Sequence, residues 1–318
     1  MFKNFFFKKH ATGSNDLTHS YKICSSITKS KAKNFYYCFQ ILPNNLKKSI
    51  YALYAFCRYC DDIADSDSSQ SYKTQALNDV KTHLNNYSNH KYIYPALYDS
   101  IDKFSIPKEY FYTLIEGLEM DIKMKSDVSQ YETINDLLKY CYKVSSVVGL
   151  MCIEVFGYNS KKANSYAVQL GYAMQITNIT RDIFEDMKIG RIYIPQEDFS
   201  SCGYSINELK NHTINDNYQD IIKLQISWAR AFFLESQNLL PFIPKKSRFC
   251  IAALIEIYSR LLDLIEKNNY DLTLDNIKLS KKEKTIFMLK YFFSYTFSQL
   301  FRSNWKLISD LFIEMECA

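Results

Sequence analysis

Only seven glycines and six prolines punctuate the 318 residues of this chain. Tight connections between strands draw on those residue types, so a many-stranded fold would be short of turns here. The scarcity predicts an all-α protein, despite abundant Tyr, Phe and Ile with their middling helix propensities. Hydrophobic residues at 47% supply enough apolar surface for a sizeable core, and the length suits one large domain.

One stretch carries something that a plain core helix does not. From Gly171 the pattern reads as an uninterrupted helix, stopped by Gly190 with Pro195 just beyond. At about 100° per residue, Gly171, Gln175, Asn178, Asp182 and Asp186 share a stripe roughly 80° wide. Ala173, Met174, Ile176, Ile179 and Ile183 look like packing positions between them. Two carboxylates at i, i+4 repel by ~0.2–0.5 kcal/mol on an exposed helix, and by more when buried. Something cationic should offset that. The plainer explanation is a solvated face, or a structural ion pair with Lys188 or Arg191.

A second carboxylate stripe follows the turn at Pro43. On NNLKKSIYALYAFCRYCDDIAD, Tyr54, Arg58, Asp61 and Asp65 lie within about 60° of one another, with Asp62 at the edge. Cys57 and Cys60 form a CxxC, but no strand precedes it and no second ligand pair follows. They are expected to be small helix-packing residues.

The rest of the chain is expected to close the bundle. Residues 1–20 read as a flexible N-terminal segment, in which Phe2, Phe5, Phe6 and Phe7 beside Lys3, Lys8 and Lys9 could touch a membrane. Residues 21–318 then form the main domain. Surface helices are expected over 73–109, with breaks near Pro95 and Pro107. A helix over 108–126 carries Glu116, Glu119 and Asp121. A long one runs from Tyr131 to Gly157, where Ser145, Ser146 and Gly149 allow either close packing or room for a ligand. Ser200 to Asn217 reads as a polar loop, followed by helices over 218–240 and 247–269. Residues 287–318 form a C-terminal amphipathic helix, whose uncharged run is too short for a membrane span. It either closes the bundle or lies on a membrane surface.

The net charge of +5 is mild, and no basic run is long enough to suggest nucleic acid. It fits an anionic substrate or an acidic membrane surface. Nine scattered cysteines without a signal peptide point to a reducing, cytoplasmic setting, with peripheral membrane contact the other expectation. The histidines His10, His19, His83, His90 and His212 all lie outside the motif-bearing stretches. Facing carboxylate stripes with no histidine favour a hard cation, Mg²⁺ being the usual choice. Mg²⁺ takes one or two carboxylates and is completed by substrate phosphates. Arg58, Arg181, Arg191 and Lys33 are candidates to complete a diphosphate site. Surrounding Tyr, Phe, Met and Ile would line a greasy cavity. Diphosphate at one end and a long apolar tail describe an isoprenyl diphosphate.

Four pieces, YALYAFCRYCDDIAD, YCYKVSSVVGLMCIEVFG, QLGYAMQITNITRDIFEDMKIGRIYIPQEDF and IYSRLLDLIEKNNYD, resemble the successive motifs of squalene/phytoene synthases in order and spacing. The resemblance implies a helical bundle around a central apolar cavity. It implies head-to-head condensation of two isoprenyl diphosphates through a cyclopropylcarbinyl diphosphate, with Mg²⁺. Squalene as the product would require NADPH, whereas phytoene-type formation ends by proton loss. Carried over by motif, Asp61 and Asp65 would hold Mg²⁺ on one diphosphate, and Asp182 and Asp186 on the other side, with Gln175 and Asn178 beside them. Asn178 counts among the metal ligands. Arg58, Arg181 and Arg191 would contact phosphate oxygens, and Lys33 would join the substrate site. Tyr54, Phe35 and Tyr142 would line the cavity, and Tyr258 would stand near the reacting centre.

The chain departs from the family pattern at two places. Ala32, Lys33 and Asn34 stand where serines are usual, and Asp275 and Asn276 stand near an expected arginine. The alternative reading is a non-catalytic relative acting as an assembly factor, a class marked by degraded Asp motifs. Both motifs are intact here. A di-metal oxidase bundle would need Glu-x-x-His pairs, which the chain lacks.

Overall fold

The computed structural model describes residues 14–124, 128–129 and 131–273, together with 277, 283 and 286. In chain order the helices are α1 (Ser14–Lys31), α2 (Lys33–Phe39), α3 (Asn44–Ala64), α4 (Gln70–Asn86), α5 (Tyr94–Phe104), α6 (Lys108–Lys123) and α7 (Ile134–Cys141). A π-helical turn over Tyr142–Ser146 leads into α8 (Val147–Phe156). There follow α9 (Lys162–Arg181), α10 (Ile183–Lys188), α11 (Gln196–Ser201), α12 (Ile206–Lys210) and α13 (Asp216–Ser236). A 3₁₀ turn over Gln237–Phe242 precedes α14 (Lys245–Lys267). Among the described residues there is no strand, and no helix is long and apolar enough to cross a membrane.

Local chemistry sets the helix ends. Ser69 caps α4 by accepting the Tyr72 N–H, and Thr133 with Asp136 forms a capping box at α7. Gly157 ends α8 with φ +78, a conformation that a side chain would strain. Helix α9 is the core of the assembly. Its Ala163, Ala167, Leu170, Ala173, Ile176 and Ile179 are all buried. It packs most extensively on α13, and also on the π turn, α8 and α14. Helix α3 packs on α1, α5, α6 and α8, so α8 touches both α3 and α9, the helix that leads into Asp182.

Several expectations need correction. The N-terminal segment is helical from Ser14, and buried Ser20 accepts the Ala96 N–H at 3.1 Å. Helix α5 is not a surface helix, because Tyr94, Ala96, Leu97, Tyr98, Ser100 and Ile101 are buried. The expected break near Pro95 falls between α4 and α5, and Pro95 sits in the first turn of α5, where its missing N–H has no partner to lose. The polar loop after Ser200 contains α12, begun by a Ser205–Glu208 capping box. The Asp182 stripe is not on one unbroken helix. Thr177 and Thr180 hydroxyls donate to the carbonyls of Ala173 and Ile176, a pattern that bends helices. Two residues after Thr180, Asp182 turns into the sparsely allowed bridge region (φ −99, ψ 14). The Phe/Lys residues up to Lys9 and the expected helix over 287–318 lie outside the described residues, and so do the membrane contacts assigned to them.

The long helix expected from Tyr131 to Gly157 starts at Ile134 and is interrupted by the π turn. That turn widens the helix, and two glycines accommodate it. A Cβ at Gly171 would stand 2.4 Å from Ser146 Cα, and one at Gly117 would stand 2.6 Å from Val144 Cγ1. Ser146 also donates to the Val168 carbonyl at 2.9 Å. Of the two uses open to Ser146, close packing is the one realised. At Gly149 the contact is looser, 3.2 Å to the Ala167 carbonyl. Gly171→Ala should therefore destabilise the protein by about 1–3 kcal/mol, because backbone must move. Gly149→Ala should stay within about 1 kcal/mol of wild type, since helix propensity offsets the milder crowding. Urea unfolding of the two variants checks the contrast.

Candidate active site

Helix α3 presents Tyr54, Arg58 and Asp61, and Asp65 is its C-cap. Arg58 donates from a terminal nitrogen to Asp62 one turn on, and its buried Nε has no partner among the described residues. An unpaired cationic N–H in a buried setting is costly unless an acceptor reaches it. The second row is Gln175 and Asn178 on α9, Asp182 at the break, and Asp186 on α10. Arg181 grips its neighbour Asp182 with both Nε (2.6 Å) and a terminal nitrogen. Asn178 faces Tyr258 of α14, whose hydroxyl it helps hold down against the effect of burial.

Arg191 joins the rows. Its Nη1 donates to Asp65 at 2.9 Å, 126 positions away, while its backbone N–H donates to the Asp186 carbonyl at 2.9 Å. The plainer explanation of the second stripe had Arg191 as a local ion-pair partner. The direct ion pair instead crosses to the first stripe. Lys33 opens α2, but its side chain lies outside the described residues.

The aromatic candidates divide. The Phe35 ring lies 6.2 Å from Tyr54 and 5.9 Å from Tyr258, centroid to centroid. These three rings form a wall shared by α2, α3 and α14. Burial pushes the Tyr258 hydroxyl up to about 12 and Tyr54 higher still, so both stay protonated at neutral pH. Tyr142 opens the π turn, half-buried, and its electrostatic neighbours are Tyr110 and Tyr172. Gln175 is half-buried on α9. The Cys57 and Cys60 thiols are free, and burial holds both well above the ordinary thiol range, which suits packing and not redox work.

Nothing in the sequence pattern assigns Asp121 a role. It is buried at the end of α6, where Tyr193 donates to one carboxylate oxygen at 3.0 Å and Tyr140 to the other at 3.1 Å. Its companions on α6 are occupied differently: Glu119 pairs with Lys81 and Glu116 with Lys143. A signal was available in RIYIP, where Tyr193 follows Arg191 by two residues, but spacing alone cannot reveal a partner on another helix.

The charges add up to a deficit of cation. Burial first, then the Asp65 charge, raises Asp61 to about 7, with Arg58 opposing. Burial first, then Asp182, raises Asp186 to about 8, with Arg191 opposing and Asp121 and Asp65 adding repulsion. Asp186 thus senses carboxylates from α3 and α6, so the two rows face one common region. Among the described residues, no three acidic, histidine or cysteine side chains are close enough to enclose a metal ion. A cation here would need ligands beyond the protein, which fits a metal completed by substrate oxygens.

A family model described as squalene/phytoene synthase matches residues 28–283. The chain belongs to the squalene/phytoene synthase family. It is 31% identical to 15-cis-phytoene synthase of Synechococcus elongatus, over 80% of this chain and 86% of the relative. It is also 31% identical to chloroplastic phytoene synthase 1 of Arabidopsis thaliana, over 80% of this chain and 62% of that protein. For chloroplastic phytoene synthase of an Oncidium hybrid cultivar the identity is 30%, over 84% of this chain and 66% of the relative. The chain thus spans slightly less than two thirds of the length of these two plant relatives. Among solved structures, a dehydrosqualene synthase bound to a ligand superposes with TM-score 0.79 at 30% identity, covering 89% of this chain and 99% of that one. A squalene synthase from Alicyclobacillus acidocaldarius gives 0.73 at 25% identity, covering 81% and 97%. The fold is the helical bundle of these enzymes.

For both Asp61 and Asp186 the folded-state pKa lies above the unfolded one. The folded protein therefore binds more protons in between, and without a cation its stability falls as pH rises from about 4 to about 8. Chelator-treated protein should be less stable to urea near pH 8 than near pH 5. Replacing both residues by Asn should flatten that difference.

Proposed function

We propose that this chain is a prenyltransferase that condenses two isoprenyl diphosphates head to head. The observation that carries this reading is the Arg191 bridge, which brings the aspartate row of α3 and the aspartate row of α9–α10 to one region. The relatives named phytoene synthase support a C20 substrate, geranylgeranyl diphosphate, with proton loss ending the reaction. NADPH then has no part in it. The alternative assembly-factor role is disfavoured, because Asp61, Asp65, Asp182 and Asp186 are all present and share that region.

Asp61 and Asp65 on one side, and Asp182, Asp186 and Asn178 on the other, would hold Mg²⁺. When bound, Mg²⁺ supplies positive charge for the departing diphosphate. Arg58, with its unpartnered Nε, and Arg191 would receive phosphate oxygens, with Arg181 beside Asp182. Carried over by motif, Lys33 and Gln175 would join the same substrate site. The wall of Tyr54, Phe35 and Tyr258 excludes water from an allylic cation and presents π faces to it. Tyr142, on the π turn, lines the path of the apolar tail. A peripheral membrane contact would suit so apolar a product.

Asp182→Asn keeps the size of the side chain and removes one charge. Turnover should fall by roughly 10²–10³-fold, about 3–4 kcal/mol, as for loss of one preorganised electrostatic group. KM should change far less, because the remaining ligands still hold the ground state. Asp61→Asn should behave in the same way, and EDTA should abolish turnover. Steady-state kinetics at saturating Mg²⁺ decides; wild-type kcat in both variants would make the stripes structural and favour the assembly-factor role.

A further inference from the structure

Asp121 is a buried acid in this region for which neither substrate nor metal has been invoked. It is 8% exposed, and each carboxylate oxygen accepts from a different tyrosine. Those tyrosines brace each other, the Tyr140 and Tyr193 rings stacking at 5.2 Å and 26°. Tyr131 adds a third ring, 5.7 Å from Tyr140. Three elements therefore hold the carboxylate: α6 carries it, α7 supplies Tyr140, and the strap after α10 supplies Tyr193. Tyr193 lies two residues from Arg191, so the same strap carries the guanidinium. Arg191 is attracted by both Asp121 and Asp65, and its side chain is 13% exposed. A long side chain held by its ion pair to Asp65 alone would keep much rotamer freedom.

We propose that Asp121 is a positioning residue. Clamped by the Tyr140 and Tyr193 hydroxyls, it fixes the strap and the Arg191 guanidinium between the two aspartate rows, so that Arg191 meets a diphosphate in one orientation. The inference rests on the diphosphate reading of the site. It makes Asp121 a third anchor, on neither aspartate stripe.

The test is a double-mutant cycle in the full chain, with inorganic diphosphate and excess MgCl₂ as the probe in calorimetric titration. Asp121→Asn should weaken binding about tenfold when Arg191 is present, and less than about twofold in an Arg191→Ala background. A loss of equal size in both backgrounds, or no loss in either, overturns the proposal. Should Asp121→Asn fail to fold, Tyr193→Phe replaces it in the same cycle, with about a threefold loss expected only when Arg191 is present. If the wild-type chain binds no inorganic diphosphate, the diphosphate reading fails. The clamp is then judged on urea unfolding of the same four proteins: non-additive stabilities uphold it, and additive ones overturn it.

Discussion

Repulsion among carboxylates is the constraint on which this molecule is built. Asp61, Asp65, Asp121, Asp182 and Asp186 converge from three parts of the chain, and a dry protein interior does not tolerate such a gathering unaided. Arg58, Arg181 and Arg191 offset part of it through Asp62, Asp182 and Asp65. Burial first, and then the remaining repulsion, holds Asp61 and Asp186 above the ordinary carboxylate range. A fold that gains nothing from this arrangement would replace it with apolar residues at little cost. Its presence makes sense where a divalent cation and a polyanion complete the set.

The apolar half of the structure serves the same end. Helix α9 has to lie close to the π turn for its polar row to be placed, and Gly171 permits that approach. Gly117 does the same from α6, so the turn is clasped from both sides. The rings of Phe35, Tyr54 and Tyr258 come from three helices that share few sequence neighbours. Their meeting point is set by the packing of α2 and α14. Rigid surroundings of this kind let charged side chains keep a fixed geometry while solvent is kept away.

Much of this was legible in the chain itself. The shortage of Gly and Pro announced helices, and the spacing of Tyr54, Arg58, Asp61 and Asp65 announced a polar face on one of them. The Asp182 row was legible as a set of residues but not as one helix. Its break comes just after Thr177 and Thr180 turn their hydroxyls onto the backbone, a choice that periodicity does not register. The pairing of Arg191 with Asp65, and the grip of Tyr140 and Tyr193 on Asp121, are contacts between distant segments. No local pattern encodes them, and they bring the two stripes to one region.

The central claim is that these two rows serve one condensation. Its most direct test is to incubate the purified chain with geranylgeranyl diphosphate and Mg²⁺, without a reductant, and to extract the hydrocarbon. The account predicts a C40 product, with two diphosphates released for each molecule formed. Diphosphate release without any C40 hydrocarbon, or complete inertness toward both C15 and C20 diphosphates, would contradict it.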